Sequence, residues 1–227
     1  MKKNKKKISR QVFFNGKFVN EEEAKISIYD SALMFGDMVF EMTRSFGGKQ
    51  FKLNEHIDRL FTGLKILRIP VKMSKKEMEQ AVYKTIEKNE KLFKKSDEHR
   101  IMIDVSRGLL SIYDDVDIKK GPNVIIADFP LSWTVQNCSH LYDKGLNLCI
   151  TSQRVIPAQL MEPKIKNRSR IFYLMANIEV SLMKGNDNWA LMLDPDGFIA
   201  EGTGSNFFMI KDNVIYSPED RNILRGI

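Results

Sequence analysis

Apolar residues along this chain follow two rhythms, alternation by two and recurrence at three and four. Val12-Phe13-Phe14, then Asn15-Gly16, then Phe18-Val19 predicts a hairpin, because Asn-Gly accepts the positive φ angles of a type I′ turn. The β-branched and aromatic stretch from Met38 to Phe46 ends at Gly47-Gly48 and predicts a second hairpin, continuing from Gln50 to Leu53. Helical spacing follows. Ile57, Leu60, Phe61, Leu64 and Leu67 recur at three and four, with Asn54 as the expected cap and Pro70 as the stop. Ser74 and Glu77 form a capping box before Met78, Ala81, Val82 and Ile86. Strands return at Ile101–Ser106, Val124–Ala127 and Leu146–Thr151. A further helix is expected from about Ser169, with Ile171, Leu174, Met175, Ile178 and Leu182 on its buried stripe and Gly185 as its C-cap. Two hairpins close the pattern, one turning at Asp194–Gly197 and one at Lys211–Asn213.

Strands and helices mix in both halves, which argues an α+β chain rather than a doubly wound sheet. The expected organisation is a basic arm at 1–11, an N-terminal α/β domain at 12–128, a connection at 129–144 and a second domain at 145–227. The connection begins with Phe129-Pro130-Leu131-Ser132-Trp133 and continues as a polar run.

Composition changes this picture little. With 227 residues, 43% hydrophobic and 29% charged, the body is globular. The net charge of +7 is concentrated at Lys2, Lys3, Lys5, Lys6 and Lys7. With no aromatic residue interleaved, these lysines read as a frayed, solubilising terminus and not as a nucleic-acid arm. The overall positive field favours anionic small molecules. Cys138 and Cys149 lack metal or redox spacing and are expected as free thiols, which with the missing secretory and membrane-spanning patterns points to the cytoplasm. No phosphate loop, dinucleotide fingerprint, nucleophile elbow or clustered His/Cys set is present, so hydrolase and metalloenzyme classes start weak.

Three segments carry candidate chemistry. Lys164-Ile165-Lys166-Asn167-Arg168-Ser169-Arg170 precedes the last helix and offers two amines, which alone read as surface lysines. Glu201-Gly202-Thr203-Gly204-Ser205-Asn206 places a carboxylate beside exposed backbone amides, where an anion fits. His56-Ile57-Asp58-Arg59-Leu60 puts an arginine on a helix, either as a solvated charge or as a bidentate phosphate clamp.

Taken jointly and in order, these segments resemble the class IV aminotransferases. Asn15-Gly16, Phe35-Gly36-Asp37 with Val39-Phe40-Glu41, the Arg59 segment, Val105-Ser106-Arg107-Gly108, Glu201-Gly202 with Ser205-Asn206, and Ile223-Leu224-Arg225-Gly226-Ile227 stand as family blocks in family order. The group includes branched-chain and D-amino-acid aminotransferases, (R)-amine transaminases and aminodeoxychorismate lyases.

The resemblance implies a pyridoxal 5′-phosphate enzyme of fold type IV. An N-terminal two-layer α/β domain would precede a barrel-like α+β domain, of which the family has several dozen residues beyond Gly226-Ile227. It implies that Lys166 holds the cofactor's aldehyde carbon and later moves the proton at the substrate Cα. Lys166 is preferred to Lys164 because Ser169 and Arg170 then fit the family's Lys-x-x-(Asn/Ser)-(Arg/Tyr) pattern. Glu201 would face the pyridine nitrogen. Arg59 would grip the 5′-phosphate, aided by backbone amides near Thr203 and Gly204 and at Ile227. Phe40, Glu41 and Arg44 look like the Phe-Glu-x-x-Arg of branched-chain enzymes, and Phe40 and Arg44 would line the substrate pocket. Arg100 and Met102 stand where many branched-chain enzymes carry a Tyr-x-Arg pair; Arg100 is either a substrate-carboxylate ligand or an edge-strand charge. The implied partners are an amino acid, a 2-oxo acid and a second copy of the chain, with neither nucleic acid nor membrane. Aminodeoxychorismate cleavage and D-amino-acid or amine transamination are the alternatives within the same family.

Overall fold

The structure, a computed structural model, describes residues 9–113, 115 and 120–227. The lysine-rich start expected as a flexible arm lies outside the described residues except for its last positions. The chain divides into two compact units, 1–135 and 136–227.

In the first unit, β1 (Gln11–Phe14), β2 (Lys17–Asn20), α1 (Ser31–Phe35), β3 (Met38–Phe46) and β4 (Lys49–Gln50) lead into α2 (Leu53–Ile66) and α3 (Lys75–Asn89). β5 (His99–Ser106), β6 (Asn123–Pro130) and α4 (Ser132–Val135) complete it. Six strands form one antiparallel sheet in the order β2-β1-β6-β5-β3-β4. Helix α2 packs on β3, and α3 packs on β1 and β6. Alternation along β5 sends Ile101, Ile103 and Val105 inward to full burial, while Arg100 and Met102 remain half-buried on the other face.

The turn chemistry is as expected. Asn15 and Gly16 take φ of 52° and 87°, and Gly47 and Gly48 take 57° and 75°. The second turn is clasped by Glu98, which accepts N–H bonds from Gly47 at 2.6 Å and Gly48 at 3.3 Å and a hydroxyl from Ser45. Helix α3 starts on the expected capping box, with Ser74 N–H donating to Glu77 at 2.7 Å and Glu77 N–H donating back to Ser74 Oγ.

Helix α2 starts differently. Asn54 does not cap it: the helix begins at Leu53, and its N-cap is Lys52 in the left-handed region with no side-chain cap. Leu53 is buried, so packing at the first helical position decides the start and the exposed Asn54 has no capping role. The far end stops at Ile66, before Pro70. There Arg107, paired with Asp37, donates to the carbonyls of Leu67 at 2.7 Å and Arg68 at 3.1 Å, satisfying groups that a helix end leaves open.

The second unit contains α5 (Leu141–Lys144), β7 (Asn147–Arg154), α6 (Ile171–Ser181), β8 (Asn188–Leu193) and β9 (Ile199–Gly202). The hairpin of β10 (Met209–Lys211) and β11 (Val214–Tyr216) follows. Strands β7 and β8 are parallel and β9 is antiparallel to β8, so α6 is the crossover helix and packs on β7 and β8. The core is Val155, Ala176, Val180, Ala190, Met192, Ala200 and Ile223.

Here the expected helical stripe is reversed. Ile171, Leu174, Met175, Ile178 and Leu182 are all exposed, while Ala176 and Val180 are buried. Small side chains let the crossover helix sit close on the sheet, and the larger ones point away. Helix α6 ends at Ser181 with Leu182 as cap, and Gly185 lies beyond it.

A buried pair joins β5 to β6. His99 Nδ1 lies 3.0 Å from Asp128, and its ring stacks on Phe93 with centroids 4.1 Å apart. Burial alone would lower the His99 pKa, but the Asp128 hydrogen bond and charge raise it above 6.5. Burial also raises Asp128, so both shifts say that the pair keeps its proton. A histidine raised in the folded state stabilises fully below its unfolded pKa and loses that contribution as pH rises through the folded one. Urea unfolding of wild type and His99→Gln is therefore expected to differ most below pH 6.5, with the gap shrinking as pH rises through the raised folded value.

Candidate active site

Between β7 and α6 the chain is irregular, and its own side chains hold it. Asn167 Oδ1 accepts the Ser169 N–H at 2.9 Å, its carbonyl accepts Arg170 Nε at 2.7 Å, and its Nδ2 lies 3.1 Å from Met161 Sδ. Ile165 and Asn167 are buried. Lys166 between them is half-buried, whereas Lys164 is exposed. Of the two amines, Lys166 has the environment that lowers mobility.

Glu201 sits on β9 opposite Met192 of β8 and is 5% exposed. Its Oε1 accepts the phenol O–H of Tyr173 from α6, and its Oε2 accepts the Leu224 N–H at 3.3 Å. Leu224 is held in turn by Asn206, whose Nδ2 donates to its carbonyl at 2.8 Å. Gly226 passes so close that a Cβ there would lie 2.4 Å from Asn206 Oδ1. At Gly202, similarly, a Cβ would lie 2.6 Å from Ser205 Oγ. A side chain at either glycine would require Ser205 or Asn206 to move.

A small open cleft of about 40 Å³ runs beside these groups, lined by Val155, Met161, Ile165, Phe172, Tyr173, Glu201 and Leu224 among others. Burial raises the Glu201 pKa above the ordinary carboxylate value, opposed by the Tyr173 and Leu224 hydrogen bonds and by the Arg170 and Lys166 charges. Burial, then the Glu201 charge, pushes the Tyr173 phenol up, so it stays a proton donor. Lys166 and Glu201 thus share one electrostatic environment.

Thr203 and Gly204 line a neighbouring cleft with Leu148, Asn177 and Trp189, and Thr203 Oγ1 bonds Asn177 Oδ1 at 2.9 Å. They are not among the residues that line the Glu201 cleft. Ile227 is 43% exposed and lines neither.

The other expected residues belong to the first unit. Arg59 on α2 grips Glu41 of β3 through Nε at 2.6 Å and Nη2 at 2.8 Å, and His56 Nδ1 lies 2.8 Å from the same carboxylate. Glu41 is fully buried. Burial would raise its pKa, but the Arg59 and His56 bonds and charges outweigh this and lower it. Phe40, next in sequence, points to the opposite face of the sheet, as does Arg44. Arg44 pairs in register with Arg100 of β5. Like charges directly opposite destabilise a sheet. Arg44 rests its guanidinium carbon 3.9 Å from the centre of the Phe46 ring. Arg100 lies against Met42 Sδ at 3.9 Å, and its buried Nε has no hydrogen-bond partner among the described residues.

Tyr173, Leu224 and Asn206 escape the sequence reading as site residues. A signal for Tyr173 existed: with Ala176 and Val180 it makes a helical stripe of three and four, the stripe that the structure buries.

A half-buried amine electrically coupled to a buried carboxylate beside a cleft is the equipment of an enzyme that works on a carbonyl compound. The amino-transferase class IV family model matches residues 38–227. The chain is 33% identical to the putative branched-chain-amino-acid aminotransferase of Methanocaldococcus jannaschii, over 96% of this chain and 71% of that protein. Its fold matches the branched-chain aminotransferase of Thermoproteus uzoniensis solved with norvaline, at TM-score 0.82 and 28% identity over 96% of this chain and 71% of the other. It also matches the T.th. branched-chain amino acid aminotransferase complexed with N-(5′-phosphopyridoxyl)-L-glutamate, at TM-score 0.81 and 29% identity over 96% and 70%. The chain belongs to the class IV aminotransferases, and it is an enzyme, a transaminase.

The Arg59–Glu41–His56 cluster has a direct consequence for stability. Glu41→Gln removes the buried charge that both partners face, and the expected loss is about 3 kcal/mol in urea unfolding. A loss within about 0.5 kcal/mol would be surface-like and would contradict the described pairing.

Proposed function

We propose that the chain is a pyridoxal-phosphate-dependent aminotransferase that moves the amino group of a branched-chain or other hydrophobic amino acid to a 2-oxo acid. The observation that carries this is the coupling of Lys166 to buried Glu201 within one unit. The donor set fits the cofactor: a primary amine suits its aldehyde, and a buried carboxylate suits its ring nitrogen. The phosphopyridoxyl ligand of the T.th. enzyme supports the same choice.

When bound, pyridoxal phosphate supplies a ring that accepts electrons as the substrate Cα–H breaks. Lys166 offers the amine that holds the aldehyde carbon and, once released, moves the proton at Cα. Glu201 holds a proton at the ring nitrogen. Arg59 takes the phosphate, its plane fixed by the two bonds to Glu41. Backbone amides near Thr203 and Gly204 and at Ile227 would aid that grip. Phe40 with Met42 and Met102 offers an apolar wall for the side chain. Arg100, beside Arg44, offers a carboxylate ligand: an anion there would relieve two facing cations and partner the buried Nε.

The proposed setting is a cytoplasmic homodimer acting on small molecules. The free cysteines support a reducing compartment; the dimer rests on family resemblance. No helix among the described residues is long and apolar enough to cross a membrane.

Protein supplied with pyridoxal phosphate is expected to turn yellow, and borohydride is expected to fix the label on Lys166. Lys166→Ala abolishes colour and turnover; Lys164→Ala keeps both. Leucine, isoleucine and valine with 2-oxoglutarate should each yield the matching keto acid. Absence of all three products would remove the substrate choice, and pyruvate release from aminodeoxychorismate without an acceptor would replace it with lyase chemistry. Arg100→Leu is expected to raise KM for the 2-oxo acid by about tenfold or more, with a smaller effect on kcat.

A further inference from the structure

Glu201 is asked to do two things that conflict. It lies buried, which favours its neutral form, yet the proposed chemistry uses it as an anion. Burial is the largest influence on its proton affinity and acts upward. Something local must offset it.

Among the described residues, the groups that act on Glu201 include Tyr173 and Arg170 at the start of α6, Lys166 in the segment before it, and the Leu224 N–H. Lys166 is committed to the cofactor in the proposed reaction. Arg170 sits with its guanidinium carbon 5.1 Å from the centre of the Tyr173 ring and donates Nε to the Asn167 carbonyl. The Leu224 bond is 3.3 Å long. Tyr173 is different. Its phenol donates straight to Oε1, and the helix that carries it is anchored on the sheet by Ala176 and Val180, one and two turns further on. Its ring also lies against Phe172, with centroids 4.2 Å apart.

We propose that Tyr173 is a positioning residue for Glu201: its phenol donates to one carboxylate oxygen, keeps that carboxylate ionised at working pH, and fixes its plane between α6 and the Leu224 backbone. The inference rests on the proposed role of Glu201 at the cofactor's ring nitrogen. A hydrogen bond to an anion favours the anion, and burial and the Glu201 charge push the donor's own pKa up, which keeps the phenol protonated. Each carboxylate oxygen keeps a second lone pair for another donor.

The test is a titration of Glu201 in the full chain without cofactor, read from the ¹³Cδ signal of labelled glutamate and assigned by loss of that signal in Glu201→Gln. The wild-type midpoint is expected above the ordinary 4.5. Tyr173→Phe should raise it further, by about one to two pH units. A fluorinated tyrosine at position 173 is a stronger donor of the same shape and should move the midpoint down. That second variant also keeps the proposal testable if Tyr173→Phe does not fold. Equal midpoints in all three proteins, or a fall in Tyr173→Phe, would overturn it. In the loaded enzyme Tyr173→Phe should lower kcat at neutral pH with KM little changed, and the acidic limb of the pH profile should move up with the titration. If wild type takes up no pyridoxal phosphate, the cofactor reading fails, while the titration still decides whether Tyr173 controls Glu201.

Discussion

A carboxylate withdrawn from water must be met by donors, or it takes up a proton. Each unit of this chain holds such a group. In the first, Glu41 is fully enclosed between sheet and helix and is met by Arg59 and His56. In the second, Glu201 is met by a phenol and a backbone amide. The two solutions differ in sign. Full countercharge lowers Glu41, whereas mostly neutral donors leave Glu201 above its ordinary value. Glu41 is thus built to remain an anion and orient an arginine, whereas Glu201 depends on its hydrogen-bond donors to offset burial.

The fold places these groups through ordinary sheet geometry. Strand alternation sends Glu41 toward α2 and its neighbours Phe40 and Met42 to the opposite face. The parallel β7–β8 pair requires a crossover, and that crossover is the helix that presents Tyr173 to Glu201 on the adjoining strand. Asn206 and the bare backbone of Gly226 then bring Leu224 within reach of the same carboxylate.

Local chemistry was the legible part. Asn15-Gly16, Gly47-Gly48 and the Ser74–Glu77 box act through neighbours in sequence, and each forms as read. The strand pattern was legible too, although β5 and β6 run further than their apolar cores because pairing carries them on through His99 and Pro130. What failed was whatever a distant partner decides. Asn54 lost to the burial of Leu53. The large residues of α6 looked like its core face, but close packing of a crossover helix on a sheet selects Ala176 and Val180. Tyr173 was overlooked for the same reason, since its value comes from a carboxylate on another strand. Lys166 stood out from Lys164 only through resemblance; in the structure it is half-buried while Lys164 is exposed.

The facing guanidiniums of Arg44 and Arg100 carry a consequence beyond recognition. Their repulsion acts across one rung of the sheet, between adjacent strands, and an anion between them would relieve part of it. Ionic composition and the resilience of this sheet then become a single thermodynamic variable. A molecule carrying a negative group would find a scaffold that tightens on its arrival, and the buffer in which the protein is handled would compete for the same relief.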